Sequence, residues 1–375
     1  MTRTVLILGA SGHSGSAFAK AFDKAGWQVR RFKRGQDPAK AARGVELIVN
    51  AMNPPDYHDW ARQIPQITEL AMTAARASGA RVLIPGTVYV YGTQPAPWSA
   101  TTPHRPCSRK GQIRAEMEAA WRASGLPVTV LRAGDFVDGA KPGLLMGRVV
   151  LKNLHKGQIT TLGQPDVPRA YAYLPDLARA FTVLAARRAE MKAIENFHFA
   201  GHWVSHGQVM AAAQNALPKP VKVAPLPWWM LRAIGLFNPV MRDIYRMRYL
   251  WLNEMELVDQ RLDAGIGQRQ RFDRRDQLVL ELLVAALLAG RERAGGSQTV
   301  LDLLVLQLAQ LLVGVGDQVQ RGHDLRAQLG FHCRQRQIGF VLVVLVVVGL
   351  ALATDIGDVV IVAAATAGPF LRLGL

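Results

Sequence analysis

Cysteine is almost absent: the 375 residues hold two, Cys107 and Cys333, too few for a disulfide framework. A strand-like run begins within four residues of Met1, which leaves no room for a signal peptide. A reducing cytoplasm is therefore the expected location. Long runs of one charge sign are also missing. The formal net charge is +17, yet the basic residues are scattered over many segments. That scatter argues against a nucleic-acid partner and for a solvated, mixed basic surface. An anionic cofactor or substrate would account for part of the excess, and a membrane surface for some of it. No internal repeat is visible.

A second absence divides the chain. From residue 264 onward there is no Lys, Met, Asn, Trp or Tyr, although all five types are common before it. Residues 264–375 are dominated by Leu, Val, Gln, Arg, Gly and Ala, with a single proline, Pro369. Three readings stay open: a helical extension, a membrane-associated segment, or a shifted reading frame beyond the true coding sequence. Within this tail, residues 337–354 (QIGFVLVVLVVVGLALAT) are uncharged and strongly apolar. Their length sits at the lower edge of the roughly 17–25 residues that a membrane helix needs. A buried strand or an aggregation-prone stretch fits them equally.

What is present is a glycine turn at the start of the chain. Residues 4–8 (TVLIL) read as a buried strand and residues 16–25 as the helix that follows. Between them lies Gly9-Ala-Ser-Gly-His-Ser-Gly15, spaced G-x-x-G-x-x-G. A glycine-rich turn lets the backbone approach a pyrophosphate, and the helix N-terminus adds N–H groups and partial positive charge. Gly9, Ser11, Gly12, His13, Ser14 and Gly15 are therefore candidate cofactor contacts, with His13 either touching phosphate or filling the loop. A second strand is expected at residues 28–32. The end of that strand selects the nicotinamide cofactor: an acidic residue suits NAD, and a cationic cluster suits the 2′-phosphate of NADP. Here Lys33 and Arg34 stand where a carboxylate would be, which points to NADP(H) and leaves NAD(H) as the other option. Asp37 lies past the strand and is a poor ribose ligand.

Further strand-like runs at residues 45–50, 81–85 and 128–131 alternate with helix-like runs at 57–78 and 112–124. This alternation indicates a parallel sheet with crossover helices. In the 112–124 helix, Ile113, Met117, Ala120 and Trp121 share the expected buried face, and Glu118 and Arg122 sit four apart on the expected exposed side. The expected architecture is α/β: a Rossmann-type doubly wound sheet over 1–135 and a small substrate lobe over 136–263, interleaved with the end of the sheet. The atypical tail follows. The lobe carries aromatic segments, including Trp228 and Trp229 beside Arg232, which suit either core packing or lipid headgroups.

Four stretches resemble the short-chain dehydrogenase/reductase superfamily in its extended or atypical branch, the group that includes the NAD-dependent epimerase/dehydratases. They are the Gly9–Gly15 turn, Thr87-Val-Tyr-Val-Tyr-Gly92, Leu131-Arg-Ala-Gly-Asp-Phe136, and Tyr171-Ala-Tyr-Leu-Pro-Asp-Leu-Ala178. The resemblance spans roughly residues 4–200 and adds Ala51 and Arg132 to the candidate cofactor contacts. It implies that Thr87 orients a carbonyl oxygen, with a tyrosine and a lysine managing the proton. The positions matching that tyrosine and lysine hold Ser108 and Gln112, which cannot do the same chemistry. Substitutes are at hand: a phenol from Tyr91 or Tyr89, and a cation from Lys110 or Arg109. The candidate catalytic set is Thr87, Tyr91 and Lys110.

His198, His202 and His206 are spaced for one helical face, but Gly201 and Gly207 would break such a helix, so no metal is expected. Asp176, after Pro175, is an expected helix N-cap. Two functions follow. One is an NADP(H)-dependent oxidoreductase or epimerase acting on a small molecule. The other is a non-catalytic NAD(P)H-binding sensor or assembly protein. Either can be membrane-peripheral, through the tail or the Trp-rich lobe, and a homo-oligomer is left open.

Overall fold

The computed structural model describes residues 3–54, 59–138, 143–216 and 220–262; the tail from 264 lies outside them. Its main sheet has six strands in the order β2-β1-β3-β4-β5-β9. They are β1 (Thr4–Leu8), β2 (Gln28–Arg31), β3 (Leu47–Asn50), β4 (Arg81–Thr87), β5 (Val128–Ala133) and β9 (Ile194–His198). Every pairing in this sheet is parallel. β1, β3 and β5 are buried along their whole length, which is why they read as unbroken apolar runs rather than alternating ones.

Helices cover both faces. α1 (His13–Lys24) and α5 (Leu174–Ala186) pack on one, with Phe18 and Phe181 stacked 4.3 Å apart. α3 (Trp60–Ser78) and α4 (Arg109–Ala123) cover the other, burying Trp60, Ile64, Ile113, Met117 and Trp121. Between β2 and β3 there is only the short α2 (Pro38–Ala41), capped by Asp37, whose Oδ1 accepts from the Ala39 and Lys40 amides. The chain thus returns directly to the far side of β1. The strand order reverses between β1 and β3, and the crevice at their carboxyl ends is where an open α/β sheet binds its ligand.

The lobe is built from two small sheets. β6 (Asp135–Val137), β8 (Pro168–Tyr173) and β10 (His202–Ser205) form one, and β7 (Gln158–Thr161) and β11 (Lys222–Pro225) the other. α6 (His206–Ala216), α7 (Trp228–Ile234), α8 (Pro239–Arg246) and α9 (Tyr249–Leu252) complete it. β9 belongs to the main sheet although it follows β8 in sequence. The lobe's core takes Val88, Tyr91 and Trp98 from the segment after β4, Trp251 from α9, and Met255 and Leu257 from beyond it.

Several local expectations are corrected. α4 starts at Arg109 because the Ser108 side chain caps it, accepting from the Gly111 amide at 3.2 Å. Glu118 is buried and Ala120 exposed, the reverse of the expected faces. The cause is Arg132, fully buried on β5, which draws the Glu118 carboxylate inward. Tyr173, not Asp176, occupies the N-cap of α5; Asp176 lies in the first turn and pairs with Arg179 at 3.4 Å. His198 ends β9, His202 opens β10 and His206 opens α6, so the three share no helical face. Among the described residues no group of three His, Cys, Asp or Glu gathers as a metal site, and no helix is long and apolar enough to cross a membrane.

Candidate functional site

The glycine turn sits at the reversal point, and its three glycines differ in their steric surroundings. Gly9 adopts φ +79°, and a Cβ there would also press on the Ala51 carbonyl carbon and the Met52 amide at 3.0 Å. Gly15 packs so closely that a Cβ would lie 2.1 Å from the Gly9 oxygen. Gly12 has room: the nearest atom to its Cβ position is the same oxygen at 3.4 Å. It is exposed, has extended backbone (φ −72°, ψ 171°) and opens α1, which has no side-chain cap and no acidic residue in its first turn. A helix start of this kind attracts an anion. Ala51 closes the crevice opposite, its amide bonded to the Leu8 carbonyl at 3.0 Å. Ser11 and His13 are exposed and Ser14 is half-buried along the rim. The His13 ring leans on Gly143, where a Cβ would meet it at 2.9 Å.

At the end of β2, Arg30 is committed to structure, donating to the Ala41 and Arg43 carbonyls at 2.8 Å. Lys33 and Arg34 are exposed, and neither side chain has a partner among the described residues. Asp37, the carboxylate next along the chain, caps α2.

Thr87 ends β4 beside this crevice. Its Oγ1 is buried and makes no hydrogen bond among the described residues. An orphaned buried hydroxyl costs on the order of 1–3 kcal/mol, which a ligand oxygen would recover. Beneath it is a buried clamp held through both terminal nitrogens of one guanidinium. Arg132 donates to the Thr87 carbonyl at 2.6 Å and to both Glu118 oxygens at 2.9 Å, and its guanidinium lies 5.1 Å from the Tyr91 ring centre. Burial works to raise the Glu118 carboxyl, but the Arg132 pair, its hydrogen bonds and His104 outweigh it, and the net shift is downward. Arg132 therefore holds the end of β4 from inside.

Tyr91 is likewise turned into the core, with no exposed surface. Its phenol bonds to His198 Nε2, and burial pushes it up to about 12. Burial, then the charge of Arg132, push the His198 imidazole down to about 3, so it stays neutral. Lys110 is buried, with Nζ 3.1 Å from Asp243 Oδ2 and 4.9 Å from the Trp60 ring centre. The structure thus brings Thr87, Tyr91 and Arg132 together but places Tyr91 and Arg132 as supports, and it commits Lys110 elsewhere. A residue outside the expected set meets Ser108, the position matched to the family's tyrosine: the Tyr249 hydroxyl of α9 lies 3.2 Å from Ser108 Oγ. Burial raises the Tyr249 phenol and keeps it protonated.

A family model described as the NAD dependent epimerase/dehydratase family matches residues 58–199. No curated protein matches the chain. Among solved structures, MoeE5 in complex with UDP-glucose and NAD superposes with a TM-score of 0.60 at 15% identity, covering 76% of this chain and 99% of that one. UDP-glucuronic acid 4-epimerase from Bacillus cereus, in complex with UDP-glucuronic acid and NAD, gives 0.60 at 13% identity, covering 76% and 99%. The human epimerase family protein SDR39U1 with NADPH gives 0.58 at 16% identity, covering 74% and 99%. At these identities the structures establish the fold. The family match thus covers residues 58–199, and the superpositions show a Rossmann-type fold like that of these proteins.

Proposed function

We propose that the chain is an NADP(H)-dependent oxidoreductase or epimerase acting at a carbonyl or carbinol carbon of a small molecule. The observation that carries this reading is the glycine cradle at the sheet's reversal point, with Gly12 the least crowded of its three glycines, together with two cations just after β2 that are unpaired among the described residues. Gly12 and the N-terminus of α1 would hold the pyrophosphate. Lys33 and Arg34 would hold a 2′-phosphate, a site where charge-assisted bonds are strong. When bound, the nicotinamide supplies hydride chemistry. The Thr87 hydroxyl would orient the substrate oxygen, held in place by the Arg132 bond to its own carbonyl. For the proton we nominate Tyr249, whose phenol meets Ser108 at the position of the family's tyrosine. Its upward shift suits a donor better than a base.

The test is NADPH oxidation by the purified chain against a panel of carbonyl compounds and sugar nucleotides, the latter because two structural neighbours bind them. Mass identification of the copurifying nucleotide accompanies it. Turnover that falls in Thr87→Ala supports the reading.

A second reading is favoured by Ser108 and Gln112, which replace the family's proton-handling pair. The chain would then bind the nucleotide without catalysis, as a sensor or assembly protein. NADPH binding with no turnover on the panel selects it.

A further inference from the structure

The lobe exposes a compact apolar surface that the cofactor site does not use. Trp229 and Leu236 are each 74% exposed and Phe237 is 91% exposed, with Met230 and Ile234 beside them at 41% and 43%. Isolated exposed apolar residues are ordinary, but a cluster on one hairpin marks a contact surface.

The hairpin is anchored to the lobe. On its inner side Leu231 is buried, and Trp228 stacks on Trp251 at 5.7 Å while its Nε1 donates to the Leu162 carbonyl at 3.0 Å. At the turn, a Cβ on Gly235 would sit 2.9 Å from the Arg242 Cα, so α7 and α8 are in close contact. Asn238 caps α8, accepting from the Val240 and Met241 amides. Leu236 and Phe237 therefore project from a fixed corner and do not collapse onto the lobe.

Charge decides what this corner meets. Arg232, Arg242 and Arg246 are exposed around it, and Arg248 lies 4.1 Å from the Tyr245 ring centre. The only carboxylate on α7 or α8, Asp243, is taken by Lys110. An apolar tip beside exposed arginines that pair with no carboxylate among the described residues is a poor match for a second copy of a chain of net charge +17. It complements a surface that is apolar below and anionic above.

We propose that the α7–α8 hairpin docks this protein on an anionic lipid bilayer, with Trp229, Leu236 and Phe237 entering the acyl boundary and the arginines meeting phosphate headgroups. The contact is interfacial rather than spanning. It does not depend on the assignment of the cofactor site.

The test uses the full chain and sucrose-loaded vesicles, either pure phosphatidylcholine or phosphatidylcholine containing one third phosphatidylglycerol. The wild type is expected to sediment with the anionic vesicles, weakly with the neutral ones, and less as salt rises. The double variant Leu236→Ser/Phe237→Ser, whose side chains are exposed, should keep the wild-type melting temperature and bind roughly 100-fold more weakly. Arg242→Gln/Arg246→Gln should lose most of the salt dependence. Absence of vesicle binding would overturn the proposal. So would undiminished binding by the Leu236→Ser/Phe237→Ser variant, which would locate the contact elsewhere, residues 263–375 included. A wild-type dimer that this variant dissociates, with no affinity for lipid, would assign the hairpin to self-association instead.

Discussion

Alanine at Gly12 and at Gly15 should have separable effects, because the two glycines are required for different reasons. At Gly15 the added Cβ lies 2.1 Å from the Gly9 oxygen and 2.8 Å from its carbon, both backbone atoms that cannot step aside. Overpacking of this kind costs about 1–3 kcal/mol. For a domain of this size that lowers the melting temperature by several degrees, at about 2–4 °C per kcal/mol. At Gly12 the nearest atom is 3.4 Å away, and φ −72° suits alanine. The free protein should therefore change by less than about 1 kcal/mol. The methyl group would instead fill the approach to the first turn of α1. Losing one charge-assisted bond there costs about 1.5–3 kcal/mol, or roughly 10- to 100-fold in affinity. Thermal melts without nucleotide and calorimetric titration with NADPH read the two effects separately. Gly12→Ala with unchanged NADPH affinity would show that the turn does not cradle a pyrophosphate. Gly15→Ala with an unchanged melting temperature would refute the steric reasoning.

Other outcomes follow from the same structure. Lys33→Ala/Arg34→Ala should weaken NADPH at least tenfold and leave NADH unchanged, as measured by competition titration. Glu118→Gln leaves the Arg132 guanidinium buried without its counter-charge and should cost about 3–5 kcal/mol in urea unfolding. Tyr249→Phe should lower turnover with little effect on NADPH binding. Stability should also fall with acid. Burial first, then Arg132 and Arg169 respectively, hold folded His198 at about 3 and His206 at about 4, against 6.5 for a free imidazole. Above pH 6.5 both states are neutral and the full stability is present. Below it the unfolded chain takes up protons that the folded chain refuses, at about 1.4 kcal/mol per pH unit for each histidine. His198→Asn should flatten that slope by one histidine's share, read from urea midpoints between pH 7 and 5.

The parts of the fold carried by local pattern were legible in the chain. Strands such as Thr4–Leu8 and Val128–Ala133 are buried on both faces, so apolar runs announce them. The glycine turn was legible because its spacing falls directly between an apolar strand and a helix. The clamp was not. Glu118 lies four residues before Arg122, which reads as a surface pair, and only the distant Arg132, fixed in place by the sheet, turns it inward. Tyr249 was hidden for the same reason, since 141 residues separate it from Ser108. The three histidines are spaced for one helical face, but Gly201 and Gly207 already argued against a continuous helix, and they fall at a strand end, a strand start and a helix start.

The central claim is that the opening turn and the cations after β2 grip a phosphorylated dinucleotide. Calorimetry on the folded chain tests it most directly. NADPH should bind with measurable heat and more tightly than NADH, and Lys33→Ala/Arg34→Ala should erase the preference. No heat from either nucleotide, on material with an intact cooperative melt, would contradict the account.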